Sequence, residues 1–202
     1  DSRINIGSLS SHYDVSNSDV VIQKIPSLAY LASQIGDPQV RYRGTLGGSV
    51  ANADPAADYP AALLALNATI VTNMARYQAE DFFVDMFQTP LADSEIITNI
   101  LFDIPVTGAY VKFRNPASGY AMVGVFVAKF ADGVRVAVTG AGEDGVFRAH
   151  DLEAALDANF SADAIADGMV SSDGLMSDIH ASADYRAHLI GEMTRRAVNA
   201  CA

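Results

Sequence analysis

Apolar positions change their spacing several times along this chain. Arg3-Ile4-Asn5-Ile6-Gly7 alternates polar and apolar residues, the period of a half-buried strand, and the run closes at Gly7-Ser8-Leu9. Ser10 to Val15 offers polar caps before a short helix, and the brief apolar run Val20 to Ile25 stops at Pro26. From Leu28 to Ile35, residues Leu28, Leu31, Ala32 and Ile35 fall on one helical face, with Ser27 as a candidate cap and Gly36-Asp37-Pro38 as the stop. Pro60 fits the first turn of a helix through Leu66 that ends near Asn67. Ala68 to Thr72 reads as a β-branched strand, Tyr77 to Phe87 as a strand edge followed by a helix, and Glu95 to Pro105 as an Ile-rich strand.

A second region opens near Thr107-Gly108. Ala109 to Arg114, Tyr120 to Phe130 and Val134 to Thr139 are strands, the last two joined by an Asp132-Gly133 turn. Gly140-Ala141-Gly142 ends the third, and Val146 to Arg148 adds a short one. Helices follow at Asp151 to Asp157, with Asp151 as cap, at Ala162 to Met169, and at Ser182 to Cys201. Strands followed by helices predict an α+β layered fold. The sequence contains no internal repeat.

Composition narrows the function. Of 202 residues, half are hydrophobic, enough to bury a sizeable core. The formal charge of −11 argues against a nucleic-acid surface, which needs clustered Lys and Arg. No apolar run reaches the roughly 18 residues needed to span a bilayer. Asp1 opens a polar stretch, not a charged-then-apolar leader. The lone Cys201 excludes an internal disulfide, a four-cysteine zinc site and an iron–sulfur cluster, and a cytoplasmic location is the simplest expectation. His150, His180 and His188 lack ligand partners at metal-binding spacing. His12 reads as a capping or surface residue, and no Gly-x-Ser-x-Gly elbow signals a nucleophile.

The chemistry concentrates in residues 41–58. Gly44-Thr45-Leu46-Gly47-Gly48-Ser49 combines glycines, which let backbone N–H groups approach an anion, with two hydroxyls; Arg41 and Arg43 add charge. The motif is neither a Walker A loop nor Gly-x-Gly-x-x-Gly, and a tight turn is the competing explanation of its glycines. Asp54 and Asp58, four apart, would share one face of a helical turn, either as ribose acceptors or as acids at a helix start.

The run Arg41 to Asp58, in the order Arg-Gly-Thr-Leu-Gly-Gly followed by Asp-Pro-Ala-Ala-Asp, resembles the FAD-binding medium subunit of carbon monoxide dehydrogenase and related molybdenum hydroxylases of the xanthine dehydrogenase type. Ile35 to Val40 and Gly108 to Arg114 fit the same family, and the resemblance extends over essentially the whole chain. It implies a PCMH-type FAD-binding sub-domain over residues 1–106, with a mixed sheet and helices. After it would come a C-terminal domain over 107–202, an antiparallel three-stranded sheet packed on helices. It also implies that Gly44, Thr45, Gly47, Gly48 and Ser49 hold the FAD pyrophosphate and that Asp58 holds the nucleotide portion. Ile97 would pack near the flavin and Lys112 would lie beside the isoalloxazine ring; a solvated strand lysine is the alternative for Lys112. No catalytic residue or metal ligand is implied.

The expected partners are an iron–sulfur small subunit and a molybdopterin large subunit in a heterotrimer, with electrons passing through FAD to an external acceptor. The family's first glycine-rich loop, of the Ala-Gly-Gly-x-Ser type, has no counterpart here, so the chain resembles a fragment that would be inactive alone. An interaction or structural module that keeps the fold without FAD is the alternative function.

Overall fold

The computed structural model describes residues 2–201. Strand β1 (Arg3–Gly7) is followed by short helices α1 (His12–Asn17), α2 (Asp19–Lys24), α3 (Pro26–Ser33), α4 (Pro38–Arg43), α5 (Leu46–Asn52) and α6 (Tyr59–Ala65). Then come β2 (Thr69–Thr72), β3 (Arg76–Gln78), α7 (Ala79–Phe82) and β4 (Ile97–Asp103). The four strands form one sheet in the order β1-β4-β2-β3. Its outward positions on β1 are polar, while Ile4 and Ile6 point into the core, as the alternation predicted.

The second sheet is a meander of β5 (Thr107–Arg114), β6 (Ala121–Lys129), β7 (Val134–Gly142) and β8 (Gly145–Arg148). Helices α8 (His150–Ala158) and α9 (Ala183–Ala200) complete the chain. This sheet is buried on both faces, which explains why β6 is continuously apolar where an antiparallel strand usually alternates with polar residues. Tyr110, Phe126, Ala128 and Ala137 extend the core of the first sheet and its helices. Val123, Val125, Val127, Val136 and Val138 point the other way and pack with Leu152, Ile190 and Met193 of α8 and α9.

The α+β class stands, and several details differ from expectation. All pairings of the first sheet are antiparallel, so it is not mixed. The tight reversal at residues 73–75 makes β2 and β3 antiparallel, and the segment before β4 returns that strand against β2. The second sheet has four strands, not three. Gly145, at φ +101°, allows a turn that brings β8 back along β7, and β7 itself runs through Gly142. Residues 162–169 form only a 3-10 turn at Ala162–Ala164, because Ile165 is the one buried residue among them and Gly168 at φ +74° breaks the path. Residues 38–43, left without an element by the sequence pattern, form a helix capped by Asp37 with Pro38 at its first turn. Helix α3 starts at Pro26 without a side-chain cap, so Ser27 is inside it, and Ala149, not Asp151, precedes α8.

Candidate flavin site

The glycine-rich segment is not an open loop. Thr45 caps α5, and its Oγ1 accepts the Gly48 N–H at 3.1 Å. The segment docks on the turn after β1: Leu46 N–H donates to the Ser10 carbonyl at 2.9 Å and Gly47 N–H to the Ser8 carbonyl at 2.8 Å. A Cβ on Gly47 would project to 2.5 Å from the Ser8 Cβ, and one on Gly44 to 2.5 Å from His12 Nε2. Those two glycines are therefore demanded by packing. Arg41 is spent on the end of α3, donating from Nη1 to the carbonyls of Ile35 and Gly36 at 2.9 Å each. Gly48 and Arg43 are exposed, and the Thr45 and Ser49 side chains are half-buried. These last four residues present two hydroxyls, an exposed glycine without a side chain in the way and a cation, a set that fits a diphosphate, although the Gly48 amide is itself taken by Thr45.

His12 is buried, with Ser11 rather than His12 as the cap of α1, so the surface or capping assignment is corrected. Burial, assisted by the Arg41 cation, pushes its imidazole down to about 4. Its ring lies 5.4 Å from that of Tyr59, which stands next to Asp58.

Asp58 anchors a second group. Lys112 Nζ lies 2.9 Å from Asp58 Oδ1 and donates to Oδ2 at 3.0 Å; the side chains are 3% and 5% exposed. The Tyr110 hydroxyl donates to Asp58 Oδ1, and Lys112 also donates to the Gln34 carbonyl at 3.1 Å. Burial raises the Asp58 carboxyl above its ordinary range, while Lys112 and the Tyr110 hydrogen bond pull it back. Lys112 is thus not a solvated strand lysine. Asp54 and Asp58 do not share a helical face: residues 54–57 form turns, Asp54 Oδ1 accepts the Ala56 N–H at 2.9 Å, and Asp58 points into the protein. The second sheet clamps this segment. Thr139 Oγ1 donates to the Pro55 and Ala57 carbonyls at 3.0 and 2.6 Å, and Gly140 N–H to the Pro55 carbonyl at 2.8 Å.

Two groups therefore assemble. Gly44–Ser49 connects to the β4 strand bearing buried Ile97 through Ser8, whose N–H donates to the Thr98 carbonyl at 2.9 Å. Asp58 joins Lys112 directly, and the His12–Tyr59 contact spans the two groups. Sequence reasoning missed Tyr110, His12 and Thr139. Tyr110 was readable, because it sits two residues before Lys112 and so on the same strand face; nothing local marks the other two. Among the described residues no cluster of three potential metal ligands occurs, and no helix is long and apolar enough to cross a membrane.

Both groups lie on a fold shared with flavoproteins. Residues 1–106 match the family described as the FAD binding domain in molybdopterin dehydrogenase, and the chain belongs to that family. It is an FAD-binding subunit of the molybdenum hydroxylase type, related to oxidoreductase subunits, and FAD is its cofactor. Among its relatives, the nicotine 6-hydroxylase medium subunit of Paenarthrobacter nicotinovorans is 34% identical over 96% of this chain and 74% of its own length. The carbon monoxide dehydrogenase medium chain of Hydrogenophaga pseudoflava is 29% identical over 98% of this chain and 75% of its own. The solved carbon monoxide dehydrogenase from that organism superposes on the whole chain with a TM-score of 0.83 at 30% identity, covering 75% of the matched chain.

Proposed function

We propose that this chain is the flavin-bearing station of a heterotrimeric molybdenum hydroxylase, receiving electrons from an iron–sulfur subunit and passing them to an external acceptor. A molybdopterin subunit would carry the substrate oxidation, so the substrate is chosen outside this chain. Residues 1–106 form the PCMH-type domain and 107–202 the second domain. The observation that carries the reading is that the Thr45–Ser49 segment and the Asp58–Lys112 pair, bridged by the His12–Tyr59 ring contact, sit together in a member of a family that binds FAD.

Bound FAD supplies the two-electron and one-electron chemistry. The protein's contribution is positioning and charge. Thr45, Gly48 and Ser49 hold the diphosphate, with Gly44 and Gly47 setting the path of the segment against His12 and Ser8. Ile97 gives an apolar wall on the flavin side, and Lys112 places a cation near the ring that favours the anionic reduced flavin; Asp58, turned into the protein and 2.9 Å from Lys112, acts by fixing that lysine and the segment that follows the diphosphate loop. Lys112 acts as half of a buried pair, so its field is partly cancelled by Asp58.

A second reading, a module that keeps the fold without FAD, is favoured by one observation: the first amides of α5 already have protein acceptors. One experiment separates the two. The full-length protein is purified and its flavin band recorded at about 450 nm. A stoichiometric band that weakens in Thr45→Val or Ser49→Ala supports the flavin reading. A colourless full-length protein that takes up no added FAD sinks it.

A further inference from the structure

The imidazole of His12 is 5% exposed, and neither of its nitrogens finds a hydrogen-bond partner among the described residues. Nδ1 is sealed inside the protein. Nε2 faces Gly44, where an added Cβ would lie 2.5 Å from it. That edge of the ring therefore stands where the glycine-rich segment would otherwise carry its own side chain. Several ties fix the placement: the His12 N–H donates to the Gly44 carbonyl at 2.9 Å, Ser11 bridges Thr45, and the Tyr13 and Tyr42 rings stack at 4.2 Å. Burial and the Arg41 cation keep the ring neutral at physiological pH, its pKa pushed down to about 4. A neutral imidazole carries one N–H, on one nitrogen or the other. At sealed Nδ1 that donor would go unused, and buried donors without acceptors are rarer than under-used acceptors. The proton therefore belongs on Nε2, facing the segment.

On the strength of the proposed flavin function, we infer that His12 is a further ligand of the FAD, its Nε2–H donating to a diphosphate oxygen beside Thr45 and Ser49. The chemistry selects this acceptor in two steps. Among the described residues no acceptor meets Nε2, so the acceptor arrives with a ligand. Arg43 adjoins Gly44 in the chain and the Arg41 charge is felt at the imidazole, so the local field favours an anionic oxygen over a neutral carbonyl. Held in place before the ligand arrives, the ring adds a bond without the entropy loss of ordering a flexible side chain. Gly44 then has a second consequence besides packing: it lets a residue from outside the glycine-rich motif take part in that motif's site.

The test uses the full-length protein freed of flavin. FAD, and riboflavin as the ring system without the diphosphate, are titrated into wild type, His12→Phe, His12→Gln and Ser49→Ala. Affinity is read from flavin fluorescence, stability without ligand from urea unfolding, and the Nε2 resonance by nitrogen NMR, assigned by its loss in His12→Phe. His12→Phe keeps a ring against Tyr59 but has no donor. It should weaken FAD binding about tenfold or more while the ligand-free protein is as stable as wild type or more so, since an unpartnered nitrogen is also removed. His12→Gln restores an N–H donor and should recover part of the affinity. The Nε2 signal should move with FAD and not with riboflavin. Wild-type FAD affinity in His12→Phe overturns the inference, as does an Nε2 signal that ignores FAD or answers riboflavin equally. Weakened FAD binding that merely follows a loss of ligand-free stability in both His12 variants marks a packing residue and overturns it too. In each of these cases weaker FAD binding by Ser49→Ala leaves the proposed function standing; a wild type that takes up no FAD ends both.

Discussion

Removing Lys112 tests the reading of the Asp58 pair most directly. In Lys112→Met the methionine roughly keeps the volume of the stem, but Asp58, 5% exposed, retains only the Tyr110 hydroxyl, and the Gln34 carbonyl loses its donor. Breaking a buried pair from one side typically destabilises by about 3–5 kcal/mol, because the remaining charge stays desolvated. The loss should depend on pH in a definite direction. Burial raises the folded Asp58 carboxyl above its unfolded value, and without Lys112 it rises further. A raised carboxyl contributes stability that is complete below the unfolded pKa and lost as pH rises through the folded pKa. The variant should therefore be closest to wild type near pH 5 and furthest from it near pH 8, with a slope of up to about 1.4 kcal/mol per pH unit between. The chain has no Trp, so urea unfolding is followed by circular dichroism at the two pH values. Asp58→Leu combined with Lys112→Met should recover most of the loss, since an apolar pair of similar volume needs no counter-charge. A single variant within about 1 kcal/mol of wild type at pH 8, with the same deficit at pH 5, would refute the claim that this pair is desolvated.

Two further outcomes can be checked on the same protein. Gly47→Ala should destabilise by about 1–3 kcal/mol in urea unfolding, because its Cβ would press on the Ser8 Cβ and carbonyl at 2.5 and 2.9 Å; Gly48→Ala, whose Cβ would press at 2.9 Å on the Thr45 hydroxyl that caps α5 but on no backbone, should cost less stability and more FAD retention. His12, held down to about 4 in the fold against 6.5 in the unfolded chain, should make stability fall as pH drops from about 6.5 towards 4, and His12→Asn should flatten that limb of the pH profile.

Much of the fold was readable because its signals are local. Alternation in residues 3–7 marked a strand whose buried and exposed positions follow it; that in 109–114 marked β5, where Ala109 and Tyr110 are both buried because this sheet is covered on both faces; and Asp132-Gly133 marked the β6–β7 hairpin. Asn67 ended α6 as expected, at φ +48° just past the cap. The failures share a cause: they depend on what the segment meets in space. The helix expected at residues 162–169 found no apolar face to bury, and the edge strand β8 depends on a glycine turn whose partner lies in β7. The site divides in the same way. The resemblance carried by residues 41–58 indicated the cofactor, whereas the pairing of Asp58 with a lysine 54 positions later could not be read from either neighbourhood.

That division also changes what the glycine-rich segment means. A run of glycines beside hydroxyls suggests a ligand held by bare amides, yet here the Leu46, Gly47 and Gly48 amides are taken by Ser10, Ser8 and Thr45. Gly44 and Gly47 are needed so that α5 can lie against the turn after β1, with His12 and Ser8 filling the space their side chains would claim. The fold therefore imposes two of the three glycines whether or not a cofactor binds, and only Gly48, exposed between Thr45 and Ser49, is free to be explained by the ligand. A sequence that kept Gly44 and Gly47 while losing Thr45, Gly48 and Ser49 would be expected to keep the architecture and lose the diphosphate. The functional information in the motif thus lies in its hydroxyls and its one exposed glycine, not in its glycine count.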